Sequence, residues 1–109
     1  MKTIEILEAA PVIPVMVIER LEDAVPMAEA LVAGGLPVLE ITLRSPVALD
    51  AIKVIQNEVE GAIVGSGTVI NAETFHQSLN AGVEFMVSPG ANSQLLGLAQ
   101  EHKAKLLPR

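Results

Sequence analysis

Three polar side chains with complementary chemistry occupy alternate positions of one short segment. Glu40, Thr42 and Arg44 are spaced i, i+2 and i+4, so on a strand they share one face. The positions between them are aliphatic: Leu39, Ile41 and Leu43. An arginine pairs with a carboxylate in a fork, a threonine adds a hydroxyl donor, and a glutamate shielded from water transfers protons. The pattern suits an oxo-acid ligand, although a half-exposed edge strand with solvated Glu40 and Arg44 shows the same alternation.

Two further polar turns follow apolar runs. In Gly65-Ser66-Gly67-Thr68 the glycines let the backbone approach a ligand, and Thr68 offers a hydroxyl. The dinucleotide motif needs a third glycine where this chain has Ile70, and a P-loop needs a lysine that is absent here. The alternative is a strand-to-helix turn that needs glycine only for its conformation. The other turn, Ser88-Pro89-Gly90, has the composition of an ordinary loop.

Short apolar runs alternate with helical patterns along the whole chain. We predict strands near residues 12–18, 38–43, 62–64, 85–87 and 105–107, and a short helix at residues 2–9. Helix-stop signals occur at Gly34-Gly35 and Gly82, and helix-start signals occur at Ser45-Pro46 and Asn71. The sequence thus predicts one strand and one helix in regular alternation.

This alternation predicts an α/β fold with a parallel sheet, because each crossover helix returns the chain in the same direction. Two architectures satisfy the pattern, an open doubly wound sheet and part of a (β/α)8 TIM barrel. A complete barrel takes about 250 residues, and this chain has 109. A barrel would therefore be a first half, with about four βα units, a fifth strand and a short N-terminal helix in one incomplete domain, 1–109.

Composition excludes several classes of function. The formal net charge is -6 and the chain has two phenylalanines but no tyrosine or tryptophan, so nucleic acid is not an expected partner. There is no cysteine, and His76 and His102 are far apart in the sequence and cannot alone furnish a metal site. No apolar run is long enough for a membrane span, and acids interrupt the N-terminus, so we expect no membrane partner and a cytoplasmic location.

Four motifs occur in order along the chain. They are Pro-Val-Ile-Pro-Val at residues 11–15, Ala-Gly-Gly-Leu-Pro-Val-Leu-Glu-Ile-Thr-Leu-Arg at 33–44, Val-Gly-Ser-Gly-Thr-Val at 64–69, and Phe-Met-Val-Ser-Pro-Gly at 85–90. Together they resemble the 2-keto-3-deoxy-6-phosphogluconate (KDPG) and 2-keto-4-hydroxyglutarate (KHG) aldolase family, and the resemblance covers residues 4–108.

The resemblance implies a trimeric barrel without metal or organic cofactor that splits a 2-keto-4-hydroxy acid into pyruvate and an aldehyde. By the same resemblance, Glu40 is the catalytic carboxylate that transfers protons. Arg44 and Thr68 bind the pyruvyl carboxylate of the keto-acid substrate, and the turn containing Pro89 lines the same pocket.

The family's nucleophile is a lysine on the sixth strand, which forms an imine with the keto carbon. None of the lysines here, Lys2, Lys53, Lys103 and Lys105, matches it, and Lys105 lies at the amino end of its predicted strand. We therefore expect this chain to lack the Schiff-base lysine and the later phosphate-binding loops, and to be inactive alone. The alternative, of a different class, is a non-catalytic half-barrel that self-associates through exposed strand edges.

Overall fold

The computed structural model describes residues 13–89 and 93–108. Within these ranges, strands and helices alternate: β1 (Val15–Met16), α1 (Ala24–Ala33), β2 (Val38–Thr42), α2 (Ala48–Glu58), β3 (Ile63–Gly67), α3 (Ala72–Ala81), β4 (Phe85–Ser88), α4 (Ser93–His102) and β5 (Leu106–Pro108). A short 3-10 helix, Leu21–Asp23, precedes α1. The predicted helix at residues 2–9 lies outside the described residues, as does Gly90, the last residue of the Ser88-Pro89-Gly90 turn. None of the helices in these ranges has the length and apolar character needed to cross a bilayer.

The five strands form one parallel sheet in the order β1-β2-β3-β4-β5. A doubly wound sheet reverses its strand order at a switch point, whereas a barrel adds each new strand beside the last. The consecutive order therefore confirms the first half of a (β/α)8 barrel and excludes the open doubly wound alternative. Because all the strands are parallel, their carboxyl ends lie at one edge of the sheet, which we call the carboxyl edge.

The helices cover one face of the sheet, the outer face. Leu39 and Ile41 of β2 and Val64 of β3 are buried there against α1 and α2. Helix α2 buries one side and exposes the other. Its buried residues are Ala48, Ala51, Ile52 and Ile55, and its exposed residues include Asp50, Lys53 and Asn57.

The other face of the sheet, the inner face, corresponds to the lumen side of a barrel. It has its own apolar cluster, in which Val38, Phe85 and Val87 are buried. The strand register explains this face, because Glu40 is paired with Gly65, and Gly65 with Phe85. A Cβ atom at Gly65 would lie 2.3 Å from the Phe85 ring, so the ring occupies the space that a larger residue would need.

Three of the predicted helix boundaries are confirmed and one is wrong. Gly34 follows the last residue of α1, and Gly35 has a φ of 91°. Asn71 caps α3, since its side chain accepts a hydrogen bond from the Thr74 N–H at 2.9 Å, and Gly82 ends this helix with φ 80°. Ser45 does not cap α2, which begins at Ala48. The Ser45 hydroxyl instead donates to the Ile18 carbonyl, so it joins the loop after β2 to the end of the β1 segment.

Candidate active site at the carboxyl edge

The residues predicted to bind and act on a ligand lie at the carboxyl edge of three neighbouring strands. Arg44 comes two residues after the end of β2, Thr68 directly follows β3, and Pro89 directly follows β4. The parallel register pairs Thr42 with Gly67, so β2 and β3 end at the same level. In a (β/α)8 barrel this edge forms the mouth where active sites are found.

Glu40 lies on the inner face, just below that edge. Its side chain is 3% exposed, and β2 is paired on both sides, with β1 and with β3. The alternative of a solvated edge strand is therefore wrong for Glu40. A Cβ atom at Gly67 would lie 2.3 Å from the Glu40 Oε2 atom. The carboxylate thus lies over the glycine that directly precedes Thr68.

Thr42 shares the inner face with Glu40, but its hydroxyl has a structural partner. The Oγ1 atom donates to the Met16 carbonyl oxygen at 3.4 Å, a long hydrogen bond, and the residue is buried. We expected Thr42 to offer a donor to the ligand. Its hydroxyl instead connects β2 to β1, which leaves Thr68 as the threonine at the rim.

Thr68 has an unusual backbone conformation. Its φ of 62° lies in the left-handed region, which a β-branched residue rarely adopts. Such a conformation costs on the order of 1–3 kcal/mol, and such residues cluster at functional sites where the surrounding structure holds them. Glycine would occupy this position without strain, so the threonine side chain is retained at a cost in stability.

Two arginines lie near the carboxyl edge, and they differ in their partners. Arg20, in the loop after β1, donates from Nε and Nη2 to the Glu22 Oε1 atom at 3.0 and 2.7 Å. A backbone hydrogen bond and then this arginine lower the pKa of Glu22. Arg44 is exposed and forms no salt bridge with another residue of the described ranges. Its guanidinium is therefore accessible to an anionic ligand. Sequence reasoning did not single out Arg20, although it follows β1 much as Arg44 follows β2.

The described lysines lie away from the carboxyl edge. Lys53 is exposed on α2, in the outer helical layer. Lys103 and Lys105 lie between α4 and β5, at the amino end of β5 and hence at the opposite edge of the sheet. The predicted position of Lys105 is confirmed. Lys2 lies outside the described residues.

The consecutive parallel sheet, with acid, hydroxyl and guanidinium groups near its carboxyl edge, defines the fold class of this chain as the first half of a (β/α)8 barrel. The family model for KDPG and KHG aldolase matches residues 3–109. The chain belongs to this aldolase family.

Among curated relatives, the chain is similar to the 2-dehydro-3-deoxy-phosphogluconate aldolase of Zymomonas mobilis. The two are 57% identical over 103 residues, which cover 94% of this chain and 49% of the relative. The KHG/KDPG aldolase of Escherichia coli K12 is 52% identical over 103 residues, covering 94% of this chain and 48% of the relative. The chain therefore spans about half the length of the curated relatives it matches.

Solved structures show the same relationship. The crystal structure of the Zymomonas mobilis 2-keto-3-deoxy-6-phosphogluconate aldolase with 3-phosphoglycerate superposes with a TM-score of 0.92 at 57% identity, over 95% of this chain and 49% of that one. The KDPG aldolase of Legionella pneumophila, with pyruvate captured as a covalent carbinolamine intermediate, gives a TM-score of 0.89 at 48% identity, over 94% of this chain and 50% of that one.

The contact between Glu40 and Gly67 generates a prediction about stability. We expect Gly67→Ala to lower the free energy of unfolding by about 1–3 kcal/mol, because the new methyl group displaces the carboxylate. Urea unfolding followed by circular dichroism measures this loss. Gly97→Ala is the matched control, since a Cβ atom there meets nothing within 4 Å. It replaces a glycine within α4 and should not lower the free energy of unfolding.

The double variant, Glu40→Ala with Gly67→Ala, identifies which side chain causes the loss of stability. If the methyl group displaces Glu40, Gly67→Ala costs less in a Glu40→Ala background, with a coupling of more than about 0.5 kcal/mol. An unchanged cost in that background would contradict the contact.

Proposed function

We propose that this chain is the part of a class I aldolase that recognises pyruvate and transfers protons. The whole enzyme would cleave 2-keto-3-deoxy-6-phosphogluconate or 2-keto-4-hydroxyglutarate into pyruvate and an aldehyde. The observation that carries the proposal is the placement of Glu40, Arg44, Thr68 and Pro89 around one carboxyl edge, in a chain of the KDPG and KHG aldolase family. The pyruvate captured in the Legionella pneumophila relative supports the same class of substrate.

Each residue has a chemical role in this proposal. The Arg44 guanidinium pairs with the pyruvyl carboxylate, because a planar fork of N–H donors matches a carboxylate. The Thr68 hydroxyl donates a further hydrogen bond at the rim. Glu40, buried beside Gly67, accepts and returns the proton that moves when the carbon–carbon bond breaks or forms. Pro89 gives the loop after β4 a fixed φ, so one wall of the pocket stays in place.

The trimeric assembly and the cytoplasmic location remain predictions from the sequence and its resemblance. The same holds for the absence of the Schiff-base lysine from this chain and for its inactivity alone. The positions of the described lysines support that part of the proposal, since none lies at the carboxyl edge.

Pyruvate binding by the chain tests the recognition half of the proposal. We expect pyruvate to perturb the backbone amide signals of the carboxyl edge in two-dimensional NMR. We also expect Arg44→Ala to weaken binding by about tenfold or more, since a hydrogen bond to a charged group contributes roughly 1.5–3 kcal/mol. Thr68→Val, which keeps the side-chain shape and removes the hydroxyl, should weaken it less.

Arg20→Ala is the matched control for this titration, because Arg20 lies near the same edge but pairs with Glu22. It should leave the affinity for pyruvate within about twofold, as expected for an exposed residue outside the binding contacts. Equal affinity of the Arg44→Ala variant and the unmodified chain would refute the role of Arg44.

A separate prediction concerns the covalent step. We expect no stoichiometric adduct when the chain is incubated with pyruvate and borohydride and weighed by intact mass spectrometry, because no described lysine lies near Arg44 or Thr68. The Legionella pneumophila aldolase, which captures pyruvate covalently, is the positive control. A stoichiometric pyruvyl adduct mapped to Lys103 or Lys105 would overturn our placement of these residues.

One observation favours the second candidate function, a non-catalytic half-barrel that self-associates. Val15 and Val17 alternate with buried Met16, so they belong to the inner face, yet they are 51% and 49% exposed. Val15 lies on β1 and Val17 directly follows Met16, and β1 is paired only with β2 among the described strands. An apolar edge strand of this kind promotes association. A second copy of this chain would cover the two valines if the inner faces met.

Sedimentation velocity at several concentrations tests this candidate. Self-association predicts a dimer in the micromolar range, and Val17→Lys should shift the equilibrium towards monomer, because it places a charge in the apolar contact. Met27→Lys is the control, since Met27 is similarly exposed, at 41%, but lies on α1 in the outer layer. A monomer at all concentrations would exclude the candidate.

A further inference from the structure

The two histidines of the chain are neighbours in space. His76 lies on α3 and His102 is the last residue of α4, and their ring centroids are 5.5 Å apart with the ring planes at 90°. Both side chains are exposed. They are far apart in the sequence. The fold brings them together because α3 and α4 are consecutive helices of the outer layer.

A buried aromatic ring fixes the position of the pair. Phe75 is fully buried, and its ring centroid lies 5.8 Å from that of His76 and 5.9 Å from that of His102. Phe75 packs in one cluster with Leu95 and Ala99 of α4, so the two helices meet directly beneath the histidines. The two histidines thus lie over a buried contact between α3 and α4, while their rings stay accessible to water.

We propose that His76 and His102 form a surface site for a borderline divalent transition-metal ion of the Zn²⁺ type. Imidazole nitrogen is a preferred ligand for such ions. With Zn–N bonds of about 2.0–2.1 Å, two imidazoles on one ion bring their ring centres to roughly 5 Å from each other. The observed separation is 5.5 Å, so the two rings already have the spacing that a shared ion requires. Rotation of the two exposed side chains then turns one nitrogen of each ring towards the ion.

Water completes the coordination of this site. Within residues 13–89 and 93–108, no group of three or more histidine, cysteine, aspartate or glutamate side chains is arranged to hold a metal ion. The site therefore has two protein ligands, with exchangeable water in the other positions. The net charge of -6 favours the approach of a cation. Because the ligands belong to different helices, the bound ion holds α3 against α4.

This site is separate from the candidate active site. The histidines lie in the helical layer on the outer face, whereas Glu40 lies on the inner face of the sheet. Metal binding at this site stabilises the packing of α3 against α4. It requires no change at the carboxyl edge.

Titration of the untagged 109-residue chain with ZnCl₂ tests the proposal. The chain contains only two histidines, so the side-chain imidazole region of a ¹H–¹⁵N NMR spectrum reports on this site alone. We expect the signals of both rings to change together and to saturate at one ion per chain. The thermal unfolding temperature should rise with Zn²⁺ concentration, because the ion binds the folded state preferentially. MgCl₂ should change neither, since Mg²⁺ prefers oxygen ligands.

Conservative variants distinguish Zn²⁺ binding at the two histidines from nonspecific Zn²⁺ binding to an acidic protein. His76→Gln and His102→Gln should each lower the Zn²⁺ affinity by about tenfold or more, as the loss of one of two metal ligands implies. Both should also abolish the rise in unfolding temperature. Glu101→Gln, beside His102, is the control and should retain the effect. Unchanged affinity in either histidine variant, or imidazole signals unaffected by millimolar Zn²⁺, would overturn the proposal.

Discussion

The inner face of the sheet depends on the absence of side chains at two positions of β3. A Cβ atom at Gly65 would collide with the Phe85 ring of β4, and one at Gly67 would collide with the Glu40 carboxylate of β2. Neighbouring strands are only about 4.8 Å apart, and here the Phe85 ring and the Glu40 carboxylate lie across the adjacent glycines of β3. Gly65 thereby leaves space for the Phe85 ring, and Gly67 leaves space for the Glu40 carboxylate.

The second of these contacts connects the fold to the chemistry. Glu40 is almost fully shielded from water, at 3% exposed, and lies beside Gly67, the residue that precedes Thr68. The same β3 segment therefore leaves space for the acid and carries the hydroxyl at the rim. The Gly-Ser-Gly stretch does not itself act on a ligand in our proposal. Its role is to let larger residues on neighbouring strands reach the mouth of the barrel.

Periodicity and turn residues predicted most of the fold because those signals are local. The helix stop at Gly82 and the helix start at Asn71 follow from the conformation and hydrogen bonding of single residues. Features that depend on partners distant in the sequence could not be predicted. The Ser45 and Thr42 hydroxyls bond to carbonyls of the β1 segment, and nothing within the local sequence around either residue indicates this. The contact between His76 and His102 is likewise produced by the packing of two helices.

Thr68 shows a different limit of sequence reasoning. The motif places it at a strand end, but the left-handed conformation would be assigned to glycine, because a β-branched residue pays for it in strain. Selection for stability alone would favour glycine at this position. The chain keeps a hydroxyl there, between the buried Glu40 carboxylate below and the open edge above. Residues held in this conformation cluster at functional sites, where the surrounding structure offsets the strain. The backbone of Thr68 is thus an argument for a ligand at this edge that does not rest on the family resemblance.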